Sequence, residues 1–458
     1  MDIKDTNLKL TFASGAGTVT GANFLLEGNG KKFLIDCGLV QGEKLSDEMN
    51  WVPFPYDPST IDILFITHSH IDHIGRIPKI IADGFKGRII STIPTRDMVQ
   101  LMLEDTAHLL MKDKLHHLAD IYTPDNIKKA MDLWEGVEYH EKINVDHGFQ
   151  FSFLDSGHIL GSGMLEVIYN EKKIVFTGDL GNSPSPLLRD TEKIENVDYL
   201  IMESVYGDRN HEDRDVRRQK LAKVINDNYT RGGTLMIPVF SLERTQELLF
   251  EINDMVEHKL VPVMPIFLDS PLAIKLTRVY KKNERYFNDE AKKIIAGGDD
   301  IFNFPGLKMT EETEESKAIL NVANPKIIMA GSGMSNGGRI IHHEKHYLPN
   351  KNDTILLIGY QSVGTLGRLI QEGVKKLHIQ SEEIPLRARV EMISGYSGHK
   401  DSDHLVKFVA DTAKSLKRVF TVMGEPKSAF FLAQKLKDNL SIQTESPQAG
   451  DVIMLDCK

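Results

Sequence analysis

Ile61-Asp62-Ile63-Leu64-Phe65-Ile66-Thr67 runs directly into His68-Ser69-His70-Ile71-Asp72-His73. The first seven residues are a short apolar run of the kind that forms a buried strand. The next six carry imidazoles at i, i+2 and i+5 and a carboxylate at i+4. No single face of a strand or helix presents all four together. A tight loop at the strand end can converge them, giving two imidazoles to one metal and a carboxylate plus imidazole to a neighbour. Imidazole nitrogen and carboxylate oxygen suit Zn2+, and an incomplete protein shell leaves a place for water. A histidine-rich surface turn is the plain alternative.

Other strand ends repeat the design. Ser156-Gly157-His158-Ile159-Leu160-Gly161-Ser162 places a histidine in a glycine-flanked loop, and Val175-Phe176-Thr177-Gly178-Asp179 ends in a carboxylate. Lys32-Phe33-Leu34-Ile35-Asp36 and Tyr199-Leu200-Ile201-Met202-Glu203 do the same. Singly, His158 reads as a structural histidine and Asp179 as a cap or turn residue; beside the 68–73 cluster, both read as ligands.

The first ~200 residues are thus β-rich, with one clear helix expected over Thr95 to Leu118. From about Asp208 the texture changes. Arg214 to Asn228 and Arg244 to Glu257 read as helices, and Thr234 to Val239, Lys326 to Ala330 and Thr354 to Ile358 as strands. Strands alternating with helices predict parallel βαβ units. After Ser394 short motif-bearing segments return, so a second domain is expected to be inserted into the first.

Bulk properties bound the function. A chain of 458 residues suggests two or three folding units. No apolar run approaches the ~20 residues needed to span a bilayer, and Met1 to Thr6 carry no export signal. Cys37 and Cys457, the two cysteines, lack partners at metal-ligand spacing, and so low a count excludes a disulfide framework and predicts a cytoplasmic, reducing compartment. The net charge of −10 counts against nucleic-acid binding through a broad basic surface, though not against a narrow positive groove.

The H-x-H-x-D-H cluster with its distant His158 and strand-end Asp179 resembles the signature of the metallo-β-lactamase superfamily, and Asp36 fits that family's first strand-end Asp. The resemblance implies an αββα sandwich with metals at one edge. On it, His68, His70 and His158 hold one zinc, Asp72 and His73 help hold a second, and Asp179 bridges them. Asp36 orients the cluster through hydrogen bonds. A zinc pair generates hydroxide near neutral pH and stabilises charge on a phosphoryl oxygen. Asp72 is placed to accept the nucleophile's proton.

Glu203-Ser204-Val205-Tyr206-Gly207-Asp208-Arg209 resembles the element that opens the β-CASP insertion of nucleic-acid-processing members. Ile237-Pro238-Val239-Phe240-Ser241, Asp269-Ser270-Pro271-Leu272-Ala273, Gly331-Ser332-Gly333-Met334, Gly337-Gly338-Arg339, Gly359-Tyr360-Gln361, Gly364-Thr365-Leu366-Gly367-Arg368 and Ser394-Gly395-Tyr396-Ser397-Gly398-His399 resemble its later landmarks. The implied organisation is a metallo-β-lactamase domain from residues 1–207 and 394–458, with an α/β β-CASP domain of mostly parallel strands at 208–393. In that pattern His399 is the general acid, with Glu203 orienting it and keeping it protonated. The turn around Ser332 and Gly333 suits a phosphate oxygen, a simple tight turn being the alternative. Arg339 and Arg368 suit bidentate phosphate contacts. His342 and His343 read as surface or packing residues.

One position departs. The family usually places a metal-binding histidine where Phe420-Thr421-Val422-Met423-Gly424-Glu425 puts Met423. A thioether is a poor Zn2+ ligand beside imidazole, so of up to two zincs the second is expected to be weakened. The implied activity is zinc-dependent hydrolysis of single-stranded RNA, endonucleolytic, 5′-to-3′ exonucleolytic or both. The alternative is a catalytically weakened or inactive RNA-binding scaffold. A glyoxalase-type small-molecule hydrolase does not need the 208–393 insertion, and DNA is disfavoured by the resemblance of His399 alone. The expected partners are single-stranded RNA, no membrane and, because family members often dimerise, a homodimer.

Overall fold

Alternating burial builds the first strand, Asn7–Ser14: Leu8, Leu10 and Phe12 point inward while Lys9 faces solvent. The same rule shapes Phe149–Asp155. In the computed structural model, which describes residues 7–41, 49–112, 120–212, 214–359, 361 and 364–458, such strands assemble into two compact units. One comprises the described residues of Met1–Ser183, Asp190–Asn210 and His399–Lys458, the other those of Pro184–Arg189 and His211–Gly398. Met1 to Thr6, the end of the expected helix beyond residue 112, and Tyr360 lie outside the described residues.

The first unit contains two seven-stranded sheets. One runs Val452–Asp456, Asn7–Ser14, Asn23–Gly28, Lys31–Ile35, Ile63–Phe65, Arg88–Thr92, Trp134–Val137. The other runs Thr444–Glu445, Arg418–Val422, Tyr199–Glu203, Lys172–Phe176, Gly163–Tyr169, Phe149–Asp155, Ile143–Val145. Phe12, Phe33, Phe65, Phe151, Phe176 and Phe420 join one core cluster drawn from both sheets, with the Phe33, Phe65 and Phe151 ring centroids 4.4–6.3 Å apart. The first sheet's opposite face packs Leu64, Ile66 and Ile89 against Ile77, Ile80, Val99, Leu103 and Ile127 of helices Ile77–Ala82, Ile93–Lys112 and Pro124–Asp132. On the second sheet, Val175, Leu200 and Val419 pack on Leu405 and Val409 of Ser402–Ala410 and on Leu432 and Leu436 of Pro426–Leu440. The unit is therefore an αββα sandwich.

Register brings the chemistry to the strand ends. Ile35 pairs with Phe65, Phe176 with Ile201, and Glu203 with Val422, each in parallel. The loops after these strands carry Asp36, His68, Asp179 and Met423. The pairing of Tyr199–Glu203 with Arg418–Val422 completes one sheet from segments more than two hundred residues apart.

Two strands are shorter than expected. The run 61–67 is a strand only over Ile63–Phe65, since the Thr67 N–H donates to the Asp36 carboxylate at 2.8 Å instead of to a strand. The strand expected to reach Asp179 ends at Phe176, because Gly178 turns the chain at φ 52°. A Cβ there would come within 2.7 Å of the Thr67 side chain.

The second unit is built on a six-stranded sheet ordered Leu307–Met309, Ile266–Leu268, Lys326–Ala330, Thr234–Pro238, Thr354–Ile358, Arg389–Ile393, with every neighbour parallel. Its four inner strands are buried continuously rather than alternately, as a sheet covered on both faces requires, while the edge strands Leu307–Met309 and Arg389–Ile393 are largely not buried. Helices Arg214–Arg231 and Arg244–Glu257 follow the expected pattern. Among the described residues no helix is long and apolar enough to cross a membrane.

Candidate metal centre

The loop after Ile63–Phe65 closes into a single helical turn, Ile71–Ile74, capped by His70. That tight reversal converges the imidazoles. His70 Nδ1 lies 3.1 Å from His68 Nε2 and 3.2 Å from His158 Nε2. Asp179 Oδ2 is 3.4 Å from His68 Nε2 and 3.5 Å from His158 Nε2. The four donors lie within 4.8 Å of one another and could hold a metal ion. Four ligands on a tetrahedral Zn2+ at ~2.0–2.1 Å stand roughly 3.3 Å apart, the spacing found here.

A second group shares Asp179. His73 Nε2 is 3.4 Å from Asp179 Oδ1 and 3.9 Å from Asp72 Oδ2, and these three residues also form a candidate cation site. His73 Nε2 and Asp179 Oδ1 are buried and make no hydrogen bond. Buried polar atoms left without partners are costly, and a shared cation satisfies both. The donor set therefore fits a metal.

Burial and neighbouring charge agree with that fit. Burial holds His68, His70 and His158 below the ordinary imidazole value, in the neutral form that ligates metal. Burial raises the Asp72 carboxyl. His73 goes the other way: burial opposes its charge, but Asp179, Asp36 and Asp72 outweigh burial and raise it well above the usual range. A bound cation can take the place of that proton.

Asp36 sits under the cluster in a left-handed conformation, φ 59°, and is 1% exposed. Its Oδ2 lies 2.7 Å from His73 Nδ1 and accepts from the Thr67 hydroxyl at 2.8 Å. Thr67 in turn contacts His68 Nδ1 at 3.1 Å. Sequence reasoning missed Thr67; its position between strand and histidine cluster was the available signal.

On the other side of Asp179 stands His399, whose Nδ1 is 3.1 Å from Glu203 Oε2 and 3.9 Å from Asp179 Oδ2. Burial opposes its protonation, but Glu203 and Asp179 prevail and raise it to about 9. Glu203 Oε1 accepts from the Leu180 N–H at 2.5 Å, tying this pair to the turn after Asp179. Lys400, which sequence reasoning also missed, is buried beside them; nothing in its sequence context signals burial of an ammonium.

Met423 is 2% exposed, sits in the sandwich core and adopts φ 46°. Its N–H donates to Gly15 O at 2.8 Å, and its sulfur packs on Gly15.

The remaining predicted site residues lie in the second unit. The Ser332 N–H donates to Gly337 O at 3.1 Å, its hydroxyl accepts from the Asn336 N–H at 3.0 Å, and Gly333 O accepts from Gln361 at 3.2 Å. Arg339 donates to Asp269 Oδ1, Thr310 O and Glu311 O at 2.8–2.9 Å, and Arg368 to Glu372 at 2.7 Å. His343 is a packing residue, its Nε2 2.7 Å from Asp269 Oδ2.

Three family models match the chain: "Anti-Pycsar protein Apyc1" over residues 12–205, "Beta-Casp domain" over 245–370, and "Zn-dependent metallo-hydrolase RNA specificity domain" over 383–447. Among curated relatives, "Ribonuclease TTHA0252" of Thermus thermophilus is 33% identical over 92% of this chain and 94% of its own length. The "RNase J-like protein" of Methanocaldococcus jannaschii is 31% identical over the same shares. The "Transcription termination factor FttA" of Methanosarcina mazei is 29% identical over 97% of this chain and 71% of the relative. A crystal structure of a protein of unknown function from Enterococcus faecalis V583 matches in fold, with a TM-score of 0.60 at 13% identity over 98% of this chain and 100% of that one.

Proposed function

This chain belongs to the β-CASP ribonuclease family of the metallo-β-lactamase superfamily, and on that premise we propose that it hydrolyses phosphodiester bonds of single-stranded RNA at a zinc centre. We assign one zinc to His68, His70, His158 and Asp179, and a second, weaker one to Asp72, His73 and Asp179. Asp36 orients His73. Residues 1–207 and 394–458 are assigned to the metallo-β-lactamase domain and 208–393 to the β-CASP domain.

When bound, the metal supplies Lewis acidity and makes a water far more acidic. The chain supplies the proton traffic. Asp72, whose carboxyl is raised by burial, takes the proton of the attacking water as the oxygen closes on phosphorus. The P–O bond to the leaving ribose oxygen breaks, and His399 gives that oxygen its proton. Glu203 keeps His399 charged and aimed. Ser332, Gly333, Arg339 and Arg368 are assigned to the RNA backbone, Arg339 also bracing its loop through Asp269. The observation that carries the reading is His399 Nδ1 held 3.1 Å from Glu203 and 3.9 Å from Asp179, the carboxylate shared by the two assigned zinc groups.

A reducing cytoplasm is proposed from Cys37 and Cys457, both buried free thiols, and a homodimer from the family. The second reading, an inactive RNA-binding scaffold, is favoured by one observation, the Met423 thioether where the family has imidazole.

Metal quantification paired with cleavage of end-labelled single-stranded RNA tests the assignment. Stoichiometric zinc with cleavage abolished in His68→Ala supports it. Zinc-loaded protein that leaves the RNA uncut, or cleavage indifferent to His68→Ala, overturns it; protein that binds RNA yet takes up no stoichiometric zinc and cuts nothing when zinc is supplied establishes the scaffold.

A further inference from the structure

Lys400 carries an ammonium group into the interior of the first unit, where only 5% of the residue remains exposed. Taking an ammonium out of water is costly, so its partners matter. They are Gly181 O at 2.9 Å and Ser183 Oγ at 3.3 Å. The Lys400 backbone N–H donates to Leu180 O at 2.8 Å, and His399 forms an antiparallel bridge with Gly181. Backbone and side chain of one residue thus grip the same turn, Leu180 to Ser183, directly after Asp179.

That turn has little freedom elsewhere. The Gly181 N–H donates to Ser156 O at 2.9 Å, and a Cβ at Gly181 would come within 1.9 Å of Gly157 O, so the turn lies flat against the loop carrying His158. The Leu180 N–H donates to Glu203, which holds His399. Contacts therefore run in a closed circuit from Asp179 through Leu180 to Glu203, on to His399 and Lys400, and back through the Lys400 ammonium to Gly181. Without that ammonium the Lys400 N–H and the His399–Gly181 bridge still hold the start of the turn, but Gly181 O and Ser183 lose their side-chain clamp.

We propose that Lys400 is a positioning residue that fixes the turn after Asp179, and through it the carboxylate shared by the two metal groups and the Glu203–His399 pair. The proposal rests on the metal-centre reading above. In this reading the Lys400 ammonium acts through Gly181 and Ser183, its hydrogen-bond partners. Outer partners that orient ligands typically change metal affinity or activity by ~10–100-fold when removed.

The test uses the full chain loaded with cobalt(II), whose visible absorption reports ligand geometry. Lys400→Met keeps the aliphatic stem and removes the charge. The expected result is ~10-fold weaker cobalt binding, an altered visible band and a kcat ~10-fold lower, with KM for RNA within ~2-fold of wild type. Lys400→Arg, which restores a cation, should recover part of each change. Cobalt affinity, spectrum and kcat all unchanged in Lys400→Met would overturn the proposal. So would a rise in KM alone, which would make the ammonium an RNA contact. If Lys400→Met does not fold, Ser183→Ala removes one acceptor at a half-buried position and should weaken cobalt binding ~3-fold; no change there also overturns it. Failure of the wild type to bind cobalt would instead sink the metal-centre reading, a distinguishable result.

Discussion

Asp36 and His73 are joined at 2.7 Å, Oδ2 to Nδ1, while both Asp36 oxygens also accept from Thr67 at 2.8 Å. The carboxylate therefore fixes which His73 nitrogen carries the proton and leaves Nε2 facing Asp179.

Asp36→Asn isolates that effect, because asparagine tolerates the left-handed φ of 59°. The amide can still accept from Thr67, but its NH2 then faces Nδ1 and favours the tautomer with a proton on Nε2. Metal affinity should fall ~10–100-fold with little change in Tm, as read by competitive chelator titration. Unchanged affinity would mean that His73 does not ligate through Nε2.

Glu203→Gln should disarm His399. The imidazole donates only while protonated, so its contribution is present below the folded value of about 9 and lost as pH rises through it. Removing the Glu203 charge lowers that value, and the alkaline limb of the kcat profile should move to lower pH. At neutral pH kcat should drop ~100-fold, in the range of general acid catalysis, while metal content stays at the wild-type level. An alkaline limb that does not move would assign it to another group.

The strand-end carboxylates and the 68–73 cluster were legible in the sequence because parallel register leaves loop chemistry at the C-terminal ends of strands. Tyr199–Glu203, Arg244–Glu257, Lys326–Ala330 and Thr354–Ile358 are found at the expected boundaries. Contacts formed by tertiary packing were not legible. Thr67 became a tie between Asp36 and the histidines only when strand Ile63–Phe65 stopped short. Likewise, the Arg339 guanidinium bonds to Asp269, seventy positions away, and no local pattern marks the two as partners.

A buried carboxyl in the second unit gives a stability prediction independent of the metal. Glu344 is fully buried and accepts from the Ser335 hydroxyl at 2.5 Å; burial pushes it from 4.5 to about 8. Between those values the unfolded chain ionises while the folded one keeps its proton, so stability falls as pH rises through this window and levels off above about 8. Glu344→Gln removes the cost while retaining an acceptor. Its advantage should be near zero at pH 4 and grow towards pH 8, to at most ~5 kcal/mol. Thermal melts across that range check it, and a pH-independent difference between the variants would show that Glu344 ionises in the fold as freely as in water.

Met423→His tests the departed ligand position. The residue follows strand Arg418–Val422, its N–H is fixed to Gly15 O at 2.8 Å, and its φ of 46° is one histidine adopts readily. Gly15 opens the turn that ends at Ala22, whose N–H donates to Asp72 O at 2.9 Å, so position 423 adjoins the backbone that carries Asp72. An imidazole there should add a borderline-soft donor where the thioether offers almost none. Zinc content should rise towards two per chain, the weaker ion should bind ~10-fold tighter, and RNA cleavage should not decrease. Loss of a core thioether works against this by removing apolar packing, so a lower Tm with added zinc affinity is the expected signature. Unchanged stoichiometry, or weaker metal binding, would mean that side chain 423 does not reach Asp72 and His73.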